Sequence, residues 1–285
     1  MAPSSSVAVL TDSSSQLTPE LACQFGVTVV PVHVVVDGTD YLEGLDLSAD
    51  EFYRVVESAK ELPTVATSQP TPAQFTEAFE TAAASGAEQV LAVLVGSEYS
   101  GSVNSATVAA ASAPIPVRII DSGTASFGIS CCLWAAAGEL ETSGSVDAAV
   151  AAAEKRAAEL ESVFVLQGLE LVRQSGRFGA VADEIGRAEE EIAVLWTGQG
   201  RFEVLASVRT VEEAVGAMVD RIVATDRPLV AAVGRAGAQT AMITDRFRDR
   251  VEASPQIKNL VEYRVGPSIA AHTGPGTAGG FIFPV

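Results

Sequence analysis

Apolar residues along this chain fall into short blocks, separated by stretches in which they recur every three or four positions. That alternation predicts an α/β fold. Val7 to Leu10 reads as a first strand, and Thr18-Pro19-Glu20 then starts a helix with a capping hydroxyl and proline at the first helical position. Val27 to Val36 is a long β-branched run broken at Pro31, and Asp37-Gly38 turns the chain after it. Two capping boxes, Ser48 with Glu51 and Thr71 with Gln74, open helices to about Lys60 and Ala84. Gln89 to Val95 reads as a buried strand, and Ser100-Gly101-Ser102 leads into a helix of small residues. Val117 to Ile120 is a strand ending at Asp121-Ser122, with two helices following across 124–162.

A second set of strands begins at Ser162 to Leu166. Ile192 to Trp196 and Phe202 to Val208 flank a Gly-Gln-Gly turn and read as a hairpin. Thr210 and Glu213 cap the next helix, Leu229 to Val233 is a strand, and a helix near 238–250 precedes closing strands at Leu260 to Val265 and Phe281 to Phe283. The Ala/Glu-rich helix ending near Glu161 suggests two α/β domains, 1–162 and 163–285, with elements free to exchange between them.

Composition narrows the functional classes. The chain has 285 residues, 48% hydrophobic, enough to bury sizeable cores. Its three cysteines, Cys23 alone and Cys131 next to Cys132, do not make a disulfide framework. No apolar run has the ~18 residues of a membrane span, and no basic residue precedes an apolar stretch at the N-terminus. The expectation is a soluble, cytoplasmic protein. The net charge is −18, and before residue 151 only Arg54, Lys60 and Arg118 are basic. Such a field disfavours nucleic acid and anionic lipid, leaving room for a cationic face only in the C-terminal half.

Several chemistries are absent by motif. There is no P-loop and no G-x-S-x-G elbow. Two histidines, His33 and His272, and no spaced cysteine pair give no structural zinc site. Gly274, Gly276 and Gly279 match G-x-G-x-x-G, but only six residues follow, too few for the helix and strand a dinucleotide fold requires. What remains is a series of hydroxyl-rich turns after strands: Thr11-Asp12-Ser13-Ser14, Thr67-Ser68-Gln69, Ser97 to Ser102, and Asp121-Ser122. Serine and threonine are default caps, so Thr71 and Ser102 need do no more than cap. Taken together, the turns point to a small anionic head group held by hydroxyls and amides. His272, followed by Thr273 and Gly274, ends a short apolar stretch and resembles a binding turn, whereas His33 lies within an apolar strand and reads as packing. Arg177 and Arg209 follow helix and strand ends, and nothing local decides between a surface role and a functional one.

In sequence order, Val9-Leu10-Thr11-Asp12-Ser13, Val30-Pro31-Val32, Tyr41-Leu42-Glu43-Gly44, Thr67-Ser68-Gln69-Pro70 and Ser100 to Ala106 resemble the motifs of the bacterial DegV family. Ile120-Asp121-Ser122, Ser175-Gly176-Arg177 and Ala271 to Gly276 continue the resemblance over nearly the whole chain. It implies two α/β domains with a lipid site between or beneath them. It also implies a long-chain fatty acid as ligand, no other cofactor and no metal. The chain would be the lipid-binding subunit of a two-part fatty acid kinase, without catalysis of its own. A separate ATP-binding subunit would phosphorylate the carboxylate, giving an acyl phosphate for phospholipid synthesis. Carried over, Thr67 and Ser68 lie at the carboxylate, Ser100 (or Ser97) with Gly101 binds the head group, and His272 with Thr273 and Gly274 completes the cluster. Arg209 and Arg177 would meet the kinase. The family's Ser-Gly-Thr-Tyr-Gln reads Ser-Gly-Ser-Val-Asn here, which changes the expected wall of the acyl tunnel. Two rivals stand beside this reading. One is a hydrolase using Ser100 or Ser97 with His272 and Asp12 or Asp121; the other is a fatty acid carrier with no kinase.

Overall fold

The computed structural model describes residues 6–167, 172, 176, 192–198 and 201–285. The chain divides into two units, one of Met1–His33, Leu42–Leu45 and Thr67–Ala157, the other of Val34–Tyr41, Asp46–Ala66 and Ala158–Val285. The chain thus changes unit at Ala157–Ala158, and Val34–Tyr41 and Asp46–Ala66 belong to the second unit. The reason is local: helix α2 (Ala49–Ser58) is bonded to the C-terminal strands. Arg264 reaches Asp50 at 2.6 Å, donates to the carbonyls of Arg235 (2.7 Å) and Ala236, and stacks 4.9 Å over the Tyr53 ring.

The first unit holds a parallel sheet of order β2-β1-β6-β7, made of Thr28–Val30, Val7–Asp12, Gln89–Leu94 and Val117–Asp121 in that order. Helix α1 (Pro19–Phe25), capped by Thr18 with proline inside its first turn, connects β1 to β2. A parallel strand covered on both faces must be apolar throughout, which explains the unbroken run in β6. Val90, Ala92 and Leu94 pack on Phe75 and Phe79 of α3 (Pro72–Ala84) and on Ala106 of α4 (Ser102–Ala110). Leu91 and Val93 face Ile129, Leu133 and Ala136 of α5 (Phe127–Ser143), with α6 (Val146–Glu159) completing that layer. The chain leaves β1 for β2 on one side and returns to β6 on the other. The loops after β1 and β6 therefore diverge, leaving a crevice at the carboxyl ends of these strands.

Strands β3 (His33–Val36), β4 (Thr39–Leu42) and β5 (Val65–Ser68) form a small sheet of order β4-β3-β5, and the division between the units runs through its strands. Asp37 and Gly38 both have positive φ, 48° and 81°, as a two-residue hairpin turn requires.

The second unit is built on a mixed sheet of order β10-β9-β8-β13-β11-β12. It comprises β8 (Glu161–Leu166), β9 (Ile192–Gly198), β10 (Arg201–Val208), β11 (Leu229–Arg235), β12 (Ile257–Arg264) and β13 (Ala278–Pro284). Its neighbouring strands pair antiparallel except β11 with β12, which pair parallel. Helix α7 (Val211–Val223) buries Ala214, Val215, Met218, Val219 and Ile222, a helical stripe, against this sheet. Helix α8 (Ala241–Glu252) adds Ile243, Phe247 and Val251 to the same core. At the centre of the sheet a Cβ on Gly280 would run into the Ala232 carbonyl, so glycine permits β13 to pair there.

Candidate functional site

At the carboxyl end of β1 the hydroxyl of Thr11 donates to the Val93 carbonyl of β6 at 2.7 Å, pinning the two strand ends together. Asp12 is fully buried. Its carboxylate accepts the N–H groups of Ser14 (3.1 Å) and Val95 (3.2 Å) and the hydroxyl of Ser14. Burial raises its pKa, while the hydrogen bonds from Ser14 and Val95 oppose that rise. Ser102, itself buried, lies 3.2 Å from the hydroxyl of half-buried Ser100 and donates its backbone N–H to Ser100 Oγ at 3.4 Å. Beside this, Ser13 donates to buried Glu43 at 2.6 Å and accepts the Val32 N–H at 2.9 Å. Ser130 in the first turn of α5 donates to the Ser15 carbonyl at 2.8 Å. The turn after β1 is thus fixed on several sides.

Thr67 and Ser68 are the last residues of β5, half-buried and exposed respectively. Gln69 follows them and lies against Gly101, where an added Cβ would stand 3.0 Å from the glutamine side chain. The two segments Thr67–Ser68–Gln69 and Ser100–Gly101–Ser102 are therefore brought together. Ser97 is placed elsewhere: it is exposed, and its N–H bonds the Asp121 carboxylate at 3.1 Å, which also takes the Gly123 N–H at 3.0 Å. His272 sits in the second unit, half-buried near the end of helix α9 (Pro267–Thr273), where a binding turn was expected. Gly274 ends that helix with φ 78° and an N–H to the Ala270 carbonyl at 2.8 Å, and Thr273 donates to Ile269 at 3.2 Å. Gly276 packs on Gln167 and Gly279 on Phe164, so these glycines of the rejected dinucleotide motif serve close packing. His33, read as packing, bonds Gln74 at 3.0 Å, and Gln74 in turn caps α3 through Thr71. Arg209 is exposed ahead of α7, while Arg177 lies outside the described residues.

A serine hydrolase needs a Ser–His contact with an orienting acid. Here Ser100 has Ser102 as its hydroxyl partner, Asp12 is occupied by Ser14 and Val95, and Asp121 caps a turn. Among the described residues no three His, Cys, Asp or Glu side chains converge as metal ligands would, and no helix is long and apolar enough to cross a membrane. Sequence reading missed the weight of Asp12, Ser102 and Gln69. Asp12 had a signal, an acid straight after an apolar strand, but its partner Val95 lies far away in sequence.

These features define a class: an α/β protein with hydroxyl-bearing loops gathered where the strand order of a parallel sheet reverses. The family model described as "Uncharacterised protein, DegV family" matches residues 6–285. A DegV domain-containing protein of Streptomyces coelicolor is 36% identical over 279 residues, covering 96% of both chains. In structure, the chain is similar to a DegV family protein of Thermus thermophilus described for its fatty acid binding. That match has a TM-score of 0.87, 29% identity, and covers 98% of this chain and 99% of the other. DegV of Bacillus subtilis, described as a fatty acid binding protein, gives a TM-score of 0.84 at 20% identity, covering 98% and 99%. The chain belongs to the DegV family.

Proposed function

We propose that this protein binds a long-chain fatty acid and presents its carboxylate to a separate ATP-dependent kinase subunit, which forms the acyl phosphate. The observation that carries the binding is the chain-long likeness to the Thermus fatty acid binding protein. The joined Thr67–Gln69 and Ser100–Ser102 segments supply hydroxyls suited to a carboxylate. In this reading Thr67, Ser68, Ser100 and Gly101 bind the head group, His272 with Thr273 and Gly274 serves its presentation, and exposed Arg209 meets the kinase.

Magnitudes divide the labour. A sixteen-carbon tail buries about 15 methylene-sized groups at ~0.8 kcal/mol each, about 12 kcal/mol gross. A charge-assisted hydrogen bond nets only about 1.5–3 kcal/mol. The tail sets affinity, and the hydroxyls set orientation. Denaturing extraction of the purified protein, followed by mass spectrometry of the organic phase, is expected to yield stoichiometric fatty acid. Ser100→Ala and His272→Ala are expected to keep that lipid while losing most of the phosphorylation supported by the kinase subunit and ATP. A protein that carries no fatty acid and takes up none overturns the reading. One that binds it but supports no kinase is a carrier.

A further inference from the structure

Gln69 follows Thr67 and Ser68 at the end of β5, and its side chain is exposed. The backbone behind it is anchored. Thr71 caps α3 with Gln74, and the Gln74 amide is tied in turn to the Pro31 carbonyl at 3.2 Å and to His33 at 3.0 Å. From this fixed stretch the Gln69 side chain crosses to the loop after β6. A Cβ built on Gly101 would stand 3.0 Å from its Cδ and Nε2 and 3.4 Å from its Cγ. The amide therefore rests on the Gly101 Cα, between Ser100 and Ser102 in the chain. The backbone does not call for glycine there, since φ is −80° and ψ 8°. It is the Gln69 amide that takes the space of a side chain. Among the described residues that amide makes no hydrogen bond.

We propose that Gln69 is a further head-group ligand, donating an N–H of its side-chain amide to the fatty acid carboxylate beside Ser100, with Gly101 leaving the space that seats it. The inference rests on the fatty acid reading of the site. The segments Thr67–Gln69 and Ser100–Ser102 contain no charged residue. A carboxylate held between them is therefore met by neutral donors. Each serine or threonine hydroxyl has one proton to give, whereas a carboxylate has about four acceptor sites. A primary amide adds two N–H donors on one nitrogen, and rotation about its last bond selects which end faces the ligand. Hydrogen bonds to an ionised acceptor are the stronger kind, so the amide discriminates a carboxylate from an uncharged head group on the same tail.

The test compares binding of oleate and of oleyl alcohol, which has the same tail and no charge, to delipidated protein. Gln69→Leu keeps bulk over Gly101 and removes both donors. It is expected to weaken oleate about tenfold and to leave oleyl alcohol unchanged. Gly101→Ala keeps the amide but displaces it, and is expected to show the same selective loss. The double variant is expected to lose no more than either single one, because the second change finds nothing left to remove. In side-chain ¹⁵N–¹H spectra, the amide resonance missing from Gln69→Leu is expected to shift further with oleate than with oleyl alcohol. An oleate preference that survives Gln69→Leu, additive losses in the double variant, or equal shifts with the two ligands would each overturn the assignment while leaving fatty acid binding intact. Binding of neither ligand removes the fatty acid reading, and the role of Gln69 with it.

Discussion

Cys23 lies exposed on α1, whereas Cys131 and Cys132 stand inside the core on α5. Burial pushes the Cys131 thiol well up and brings Cys132 up to about 12, with Arg156 opposing both only in part. The reactive species is the thiolate, which a raised pKa makes scarce at any pH below that value. Titration of the folded protein with a chromogenic disulfide at pH 8 should therefore show one fast thiol, and all three only in denaturant. Two or more fast thiols would mean that α5 opens in the native state. The same distinction governs the site. Sequence put Ser100 first with Ser97 as the alternative, since both follow a strand in one loop. The structure ties the Ser97 backbone to Asp121 and sets Ser100 on Ser102. How the turn after β1 meets the end of β6 depends on contacts across more than eighty residues, such as Asp12 with Val95. No local pattern carries that.

Elements with strong end signals were legible. The capping boxes at Ser48, Thr71 and Thr210 open α2, α3 and α7 as expected, and Pro31 separates β2 from β3. Short elements were not: β4 and β5 have four residues each, and α9 has seven, too few for a period to show. The place of α2 was also hidden, because Arg264 holds it from 214 residues away. Two kinds of bond meet in that clamp. The ion pair to Asp50 is exposed, with the aspartate side chain 77% accessible, and such pairs are worth about 0–1 kcal/mol. The bonds to the Arg235 and Ala236 carbonyls and the stack on Tyr53 are the better protected part. Arg264→Ala is expected to destabilise the protein by about 1.5–3 kcal/mol in urea unfolding and to speed amide exchange across α2. Asp50→Ala should cost about 1 kcal/mol or less. Equal losses would assign the clamp to the ion pair instead.

For the whole molecule, the α/β class was legible in the sequence because strand runs and capped helices alternate along it, and the family resemblance extended that reading over nearly the full length. Which segments exchange between the units was not, since Asp50 in Asp46–Ala66 is bonded by Arg264. Charge shows a similar gap between composition and arrangement. The C-terminal half holds most of the arginines, but Arg221, Arg235, Arg246, Arg248, Arg250 and Arg264 all contact carboxylates. Those six are paired with acids, and the net charge of −18 sets the long-range field. In the proposed function a fatty acid taken from a lipid surface brings the protein near it, and an anionic surface repels such a field over a Debye length of about 30 Å at 0.01 M salt but only about 3 Å at 1 M. Uptake of a fluorescent fatty acid should therefore be faster from phosphatidylcholine vesicles than from phosphatidylglycerol vesicles at low salt. The two rates should converge as salt rises, because screening removes the repulsion and leaves the tail's partition unchanged. Faster uptake from the anionic vesicles at low salt would show instead that a cationic patch leads the approach, and Arg209, exposed ahead of α7, would be the first residue to reverse in charge.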